Sequence, residues 1–343
     1  MSYPVASNRN LRRRKFANDG PTVSPATTYA GEHALPYVAP ALKLAKTLTN
    51  GWVRQIDGIQ NKAVISSLSS TGVVKAANCQ WSDSDTLTLG ERVLTLSDLS
   101  VMEALCRKTL LPTWAGMTGA RQDMTAGSPE FQAFAMATVA GYAAQEVENG
   151  IWTGALSTGQ KGFLSNTGTL TNAGYNASIL GAASVNEIAV TAAGFTTSII
   201  GNAGCFDKAY NEAVADCPAI LDRPDLAFYI SSKTAGAYML ALSQAGSNQG
   251  INMLSSNQPF ENLSYFGIPI HVCPGMPDQA IVLTYEENLV VGSNLNTDYT
   301  SAQYIDDWQY SGSDQVKIVM RFGCGVQVAM PGDCVVGALS TIL

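Results

Sequence analysis

The run Ser128–Gly150 constrains this chain more than any other. Ser128 suits an N-cap, Pro129 the first helical position, and Gly150 the left-handed residue that follows a helix. The spacing predicts one uninterrupted helix over 129–149, about 21 positions and about 30 Å at 1.5 Å per residue. Phe131, Phe134, Ala135, Thr138, Val139, Tyr142 and Val147 follow its period, while Ala133, Ala137, Ala140 and Ala144 keep the remaining faces slim. A helix that is apolar on more than one side must be packed on more than one side. Its expected last turn carries Glu146 and Glu148, the wrong sign for the helix dipole, so these carboxylates require a cation or solvent.

Strand patterns flank the helix. Residues 61–96 read as a hairpin: NKAVISSL, a turn at SSTG, VVKAANCQW, then SDSD and LTLGERVLTL. Such a ribbon is marginal alone in water and must lie against something else. A short helix is expected next, capped by Ser97 or Asp98, with Leu99, Met102, Leu105, Cys106 and Leu110 on one face and Leu111-Pro112 as its stop. Beyond Gly150 comes a charge desert, where Glu187 is the only acid or base between Gly162 and Phe206. A mixed α/β unit follows: helix near Asp207–Asp216, strand Leu226–Ile230, helix Ser232–Gln244, then strands Tyr265–Val272 and Ala280–Thr284. From Asp298 the chain reads as β, with strands Ser301–Trp308, Gln315–Phe322 and Val326–Ala329. No internal repeat is visible.

Charge narrows the class. The 343 residues are 46% hydrophobic, which excludes disorder, and 14% charged, against about 25% in ordinary soluble proteins. Much of the surface is therefore expected to face something other than water. The net charge of -7 is also divided, because Arg9, Arg12, Arg13, Arg14 and Lys15 stand together without an acid among them. The remainder holds 15 basic side chains against 27 acidic, a balance of -12. A basic arm on an acidic body binds nucleic acid, an anionic membrane surface or an acidic patch on another copy of itself. The start MSYPVASNRNLRRR lacks the apolar stretch of a secretory signal, and the longest charge-free runs are studded with Asn, Ser, Thr and Gly, unlike a membrane span. Seven cysteines with no CxxC pair read as reduced thiols, mostly small buried hydrophobes.

Catalytic motifs are wanting. The two histidines, His33 and His271, make no metal cluster, and His271 lies in the apolar run FGIPIHV as a strand residue. HExxH, GxSxG and GxGxxG are missing. GALSTGQK spaces Gly154 and Gly159 as in a phosphate loop, but Gln160 replaces the lysine and Gly162 follows Lys161 where Ser or Thr belongs. Asp306-Asp307 and Glu286-Glu287 are expected on strands, where neighbours point to opposite faces and form no catalytic pair.

In order, the chain is basic arm, hairpin, long helix, α/β insertion and return to strands. Local stretches accompany that order: LSVMEALCRKTLLPTW, SPEFQAFAMATVAGYAAQEVENGIWTG, LAFYISSKTAGAYMLALSQAG, YFGIPIHVCPGMPDQAIVLTYEENLVVGSN and MRFGCGVQVAMPGDCV. Together they resemble the major capsid proteins of tailed bacteriophages, of the Hong Kong 97 type, over nearly the whole chain from Asn61 on.

The resemblance implies an α+β fold in four parts. Residues 1–57 would form an N-terminal arm, with Arg9, Arg12, Arg13, Arg14 and Lys15 gripping a neighbouring subunit. Residues 58–96 would form an extended loop lying over a neighbour, with Lys62, Lys75 and Trp81 as contacts. Residues 97–194 and 291–343 would form a peripheral domain around a spine helix at 129–149, bearing Phe131, Phe134, Tyr142, Glu146 and Glu148. Residues 195–290 would form an axial α/β domain. The implied function is that of a structural subunit, self-assembling into hexamers and pentamers around double-stranded DNA, with no catalytic, cofactor or metal residues. Implied partners are the chain itself, portal and scaffolding proteins, a decoration protein and packaged DNA in weak proximity, with no membrane. The implied place is the virion capsid, assembled in the host bacterial cytoplasm. No acceptor Asn matches Lys62 or Lys75, so no isopeptide crosslink is expected. The alternatives are an encapsulin-like nanocompartment shell and a soluble enzyme with an unrecognised site.

Overall fold

The computed structural model of the chain describes residues 46–70, 79, 87–106, 129–154, 162–164, 186–244, 263–293, 301–307 and 312–339. The basic cluster Arg9–Lys15, His33, Lys75, Trp81 and Leu110 lie outside the described residues, as do the side chains of Phe131 and Phe134.

The structure is organised around the strand pairs of residues 226–230. This strand, β6 (Leu226–Ile230), reads LAFYI and is buried along its whole length. Because alternate residues face opposite sides of a sheet, it feeds two cores at once. Leu226, Phe228 and Ile230 enter one core, and Ala227 and Tyr229 the other. Its sheet contains β5 (Asn186–Val190), β7 (Ser264–Tyr265), β8 (Ile268–Val272), β9 (Ala280–Tyr285) and β13 (Val335–Leu339), in the order β5-β13-β9-β6-β8-β7. Helices α3 (Cys205–Asp216) and α4 (Ser232–Gln244) cover the first face, where Phe206 meets Phe228 edge-on with centroids 5.2 Å apart. The α/β unit read from the sequence is thus present, but two of its strands come from unexpected places. β5 lies in the charge desert and β13 in the last residues, and they pair in parallel, Val335↔Asn186 through Leu339↔Val190.

The second sheet is built on β12, one continuous strand from Gln315 to Val328. Gly323 and Gly325 read as punctuation between two strands, whereas here they lie within one. A Cβ on Gly325 would collide with the Thr95 carbonyl, so glycine serves close approach of another backbone at this point. β10 (Leu289–Ser293) and β11 (Ser301–Asp306) pair with successive parts of β12, and β1 (Arg54–Ile56) runs parallel to β10. On the other side of β12 lies β4 (Ser97–Cys106), in register from Gln315↔Cys106 to Cys324↔Ser97. This corrects the expected helix over 97–110. Leu99, Val101 and Leu105 are half-buried in a period of two, and ten ladder pairs with β12 override the helical spacing of Leu99, Met102 and Cys106.

The third sheet is a ribbon of β2 (Lys62–Ser70) and β3 (Leu87–Thr95). β2 pairs with LTLGERVLT, not with the expected VVKAANCQW, most of which lies outside the described residues. Ile65 and Leu94 anchor the ribbon's root in a small core with Ile59 and Val290. Gln327 Nε2 also donates to the Val93 carbonyl at 2.9 Å, and Leu96 N to Asn61 O at 3.0 Å.

Helix α2 runs from Pro129 to Thr153 and passes through Gly150 without a break. The terminating glycine is Gly154, at φ +81°, and Phe163 N and Leu164 N return to the Ile151 and Trp152 carbonyls. Gly150, Ile151 and Trp152 are buried, so continued packing carries the helix one turn beyond its sequence signal. Ahead of it, α1 (Lys46–Thr49) lies at the start of the described chain.

Candidate interaction surfaces

The β2–β3 ribbon sorts its side chains by parity. Ala63, Ile65 and Ser67 face inward opposite Leu94, Arg92 and Gly90. The other face pairs Val64 with Val93 and Leu68 with Leu89, and Leu87 follows opposite Ser70. These five apolar side chains are 48–64% exposed. Ser66 and Glu91 interrupt the stripe, and Lys62 opposite Thr95 closes it at the root. Scattered exposed apolar side chains are ordinary, but five on one face of a ribbon form a patch. Lys62 is therefore at the edge of this surface rather than its centre.

A second constellation joins three distant segments at the Glu148 carboxylate. Glu148 is 1% exposed and, among the described residues, its partners are neutral donors, in place of the expected cation or solvent. Thr47 donates to it through both its amide, at 3.2 Å, and its hydroxyl. The Gly275 amide from the β8–β9 turn also donates, and Trp152 Nε1 holds the Thr47 hydroxyl at 3.1 Å. Burial pushes the carboxyl's pKa up, while these donors pull it back toward the ionised form. Glu146, two residues earlier, is exposed, and Tyr142 is half-exposed on the helix surface. The chemistry here is fastening. The root of the N-terminal segment, the long helix and the turn of the six-stranded sheet are tied through one side chain. Sequence reading had Glu148 but not Thr47, Trp152 or Gly275, because contacts over more than 100 residues leave no local pattern.

Beside it, Trp52 stacks on His271 with centroids 4.6 Å apart, and the Tyr229 hydroxyl donates to the Trp52 carbonyl at 2.7 Å. His271 Nε2 lies 3.1 Å from Glu286 Oε1. Desolvation lowers the His271 pKa, and Glu286 opposes that shift. Glu286 and Glu287 sit in a 3-10 turn, not on a strand. Glu287 lies 3.6 Å from Arg223, which stacks over Tyr285, so the adjacent acids have separate partners. Asp307 pairs with Lys317 at 3.0 Å.

The turn joining β7 to β8 places Phe266 at φ +48° and Gly267 at φ +82°. Phe266 projects outward, against Tyr210 and Tyr265. Of the seven cysteines, five are buried, and Cys79 and Cys106 are exposed. Among the described residues, no three metal-ligating side chains stand together and no helix is long and apolar enough to cross a membrane.

No protein-family model and no curated protein matches the chain. Solved structures do. The chain is similar to the capsid of a native GTA particle, at 17% identity and a TM-score of 0.57, covering 96% of this chain and 99% of that one. The capsid of an empty GTA particle gives 18% identity and a TM-score of 0.56, covering 87% and 91%. A chain from Gordonia phage Cozz gives 16% identity and a TM-score of 0.52, covering 86% of each. The likeness extends over nearly the whole of both chains and establishes the fold as the Hong Kong 97-type capsid fold expected from the sequence.

Proposed function

We propose that this chain is the structural subunit of an icosahedral tailed-phage head, self-assembling into hexamers and pentamers that enclose double-stranded DNA. The observation that carries the reading is the ribbon face of Val64, Leu68, Leu87, Leu89 and Val93, left in water by a chain of capsid fold. Full burial of a Val or Leu side chain contributes about 1.5–3 kcal/mol. Covering this face on a neighbour therefore supplies several kcal/mol per subunit, repeated around a closed shell.

On this reading residues 1–57 are the arm and 58–96 the extended loop. Residues 97–194 and 291–343 are the peripheral domain, and 195–290 the axial domain, with β13 adding its strand to the axial sheet. The basic arm grips a neighbour, and the acidic body repels packaged DNA and lets it slide. Structural work of this kind requires no catalytic group. Portal, scaffolding and decoration proteins are the remaining partners, the virion capsid is the location, and the host cytoplasm is the place of assembly.

The test is the size and content of what the full-length chain forms. Negative-stain microscopy and gel filtration are expected to show closed particles of uniform diameter. A species of tens of kilodaltons at micromolar concentration, under conditions that favour assembly, would overturn the proposal. Nuclease-protected DNA in particles from the producing cell supports a phage head, and a protein cargo in its place supports a nanocompartment shell.

A further inference from the structure

Among the described residues, β4 is a ten-residue strand paired on one side. Each residue from Ser97 to Cys106 pairs with β12, and among the described residues no strand lies on its other side. A free edge offers a row of unpaired N–H and C=O groups, and proteins ordinarily blunt such edges with lysine, proline, a bulge or a short strand. SDLSVMEALC has none of these devices: it contains no proline or basic residue, and its register is unbroken. Its charges are Asp98 and Glu103, both exposed, and Met102 and Cys106 are exposed beside them.

One segment of the sequence fits this edge. Asn8–Phe16 is free of proline and glycine, bounded by Pro4 on one side and Gly20-Pro21 on the other, and contains all five clustered basic residues. In an extended strand Arg9, Arg13 and Lys15 would share one face, and Arg12 and Arg14 the other. Asp98 and Glu103 are five residues apart on β4 and fall on opposite faces, so each meets a basic face in either register. The chain's own N-terminal root leaves beside β1, which pairs with β10 across β12 from β4, and so starts on the far side of the sheet. We infer that the outer edge of β4 receives the segment Asn8–Phe16 of a second copy by strand addition, with Asp98 and Glu103 selecting its basic side chains. This rests on the shell reading and names the contact that the arm makes.

Cys106 supplies a native probe at the end of the edge. In a Cys79→Ser background, Asn10→Cys, Leu11→Cys, Arg12→Cys and Arg13→Cys are introduced singly into the full-length chain, and assembled particles are mildly oxidised. The expected result is a ladder of disulfide-linked chains, strong at alternate positions and abolished by Cys106→Ser. Asp98→Arg with Glu103→Arg should remove most of the ladder, and Arg12→Glu with Arg13→Glu, one on each face, should restore it at the Asn10→Cys and Leu11→Cys probes. Particles that form without the linkage, or whose linkage closes within single chains, overturn the inference and leave the shell reading intact. A wild-type chain that forms no particles overturns both.

Discussion

Glu148 shows how much one side chain fastens. Replacing it with alanine strands the Thr47 and Gly275 amides in a site that water does not reach. Unsatisfied buried donors cost about 1–3 kcal/mol each, so Glu148→Ala is expected to destabilise the chain by about 2–5 kcal/mol, measured as denaturant or thermal unfolding of the purified protein. The pH dependence has a definite sign. Burial raises this carboxyl's pKa in the folded state, so the fold holds the proton more tightly than the unfolded chain does. The corresponding stability is present below the unfolded carboxyl pKa and is lost as pH rises through the raised one. Glu148→Gln lacks that loss. The stability difference between wild type and Glu148→Gln should therefore shift in favour of Gln as pH rises from the unfolded carboxyl pKa through the raised one. A difference that is flat with pH, or that moves the other way, would show that the hydrogen bonds outweigh desolvation.

On the shell reading, the β2–β3 ribbon separates folding from assembly. Leu68 and Leu89 are exposed in the subunit, and exposed substitutions ordinarily change stability by about 0.5 kcal/mol or less. Leu68→Asp and Leu89→Asp are expected to leave the unfolding midpoint nearly unchanged while particles fail to appear by gel filtration. Leu94 lies on the same ribbon but is fully buried, so Leu94→Ala should cost about 2–5 kcal/mol in unfolding. Equal effects of Leu68→Asp and Leu94→Ala on unfolding would remove the distinction between the two faces. The same elements show what was legible in the sequence. β6 and α4 matched their expected limits because a fully apolar five-residue run and a capped 3.6-residue period are local signals. β4 was misread because Leu99, Met102 and Leu105 satisfy a helical spacing as well as they decorate a strand, and only β12 decides between them. β5 and β13 were missed because each is short and their parallel pairing joins residues about 150 positions apart, beyond any pattern in a window. At the candidate surfaces, the expectation that the hairpin must lie on something was readable from its composition. The face it would use was not, because facing depends on the register of β2 against LTLGERVLT.

If the chain builds a shell, the whole molecule combines two kinds of attraction that salt tells apart. On the proposed reading, an arm of +5 on a body of -12 draws copies together through charge, whereas the ribbon face draws them through apolar burial. Between exposed charges, attraction is screened over about 10 Å at 0.1 M salt and about 3 Å at 1 M. Burial of apolar side chains has no such decay, and salts excluded from the surface strengthen it. Raising sodium chloride across that range should slow particle formation by the wild-type chain, followed by light scattering, toward a floor set by the ribbon. The variant in which Arg12, Arg13 and Arg14 are all replaced by alanine should start near that floor and show little salt dependence. Leu68→Asp should lower the floor itself and leave the salt slope in place. If the triple variant instead keeps the full slope, the arm is not the charged partner, and the acidic body must meet its cation elsewhere. Identical rates for the triple variant and wild type at low salt would remove the arm from assembly altogether, leaving the ribbon as the contact that draws copies together.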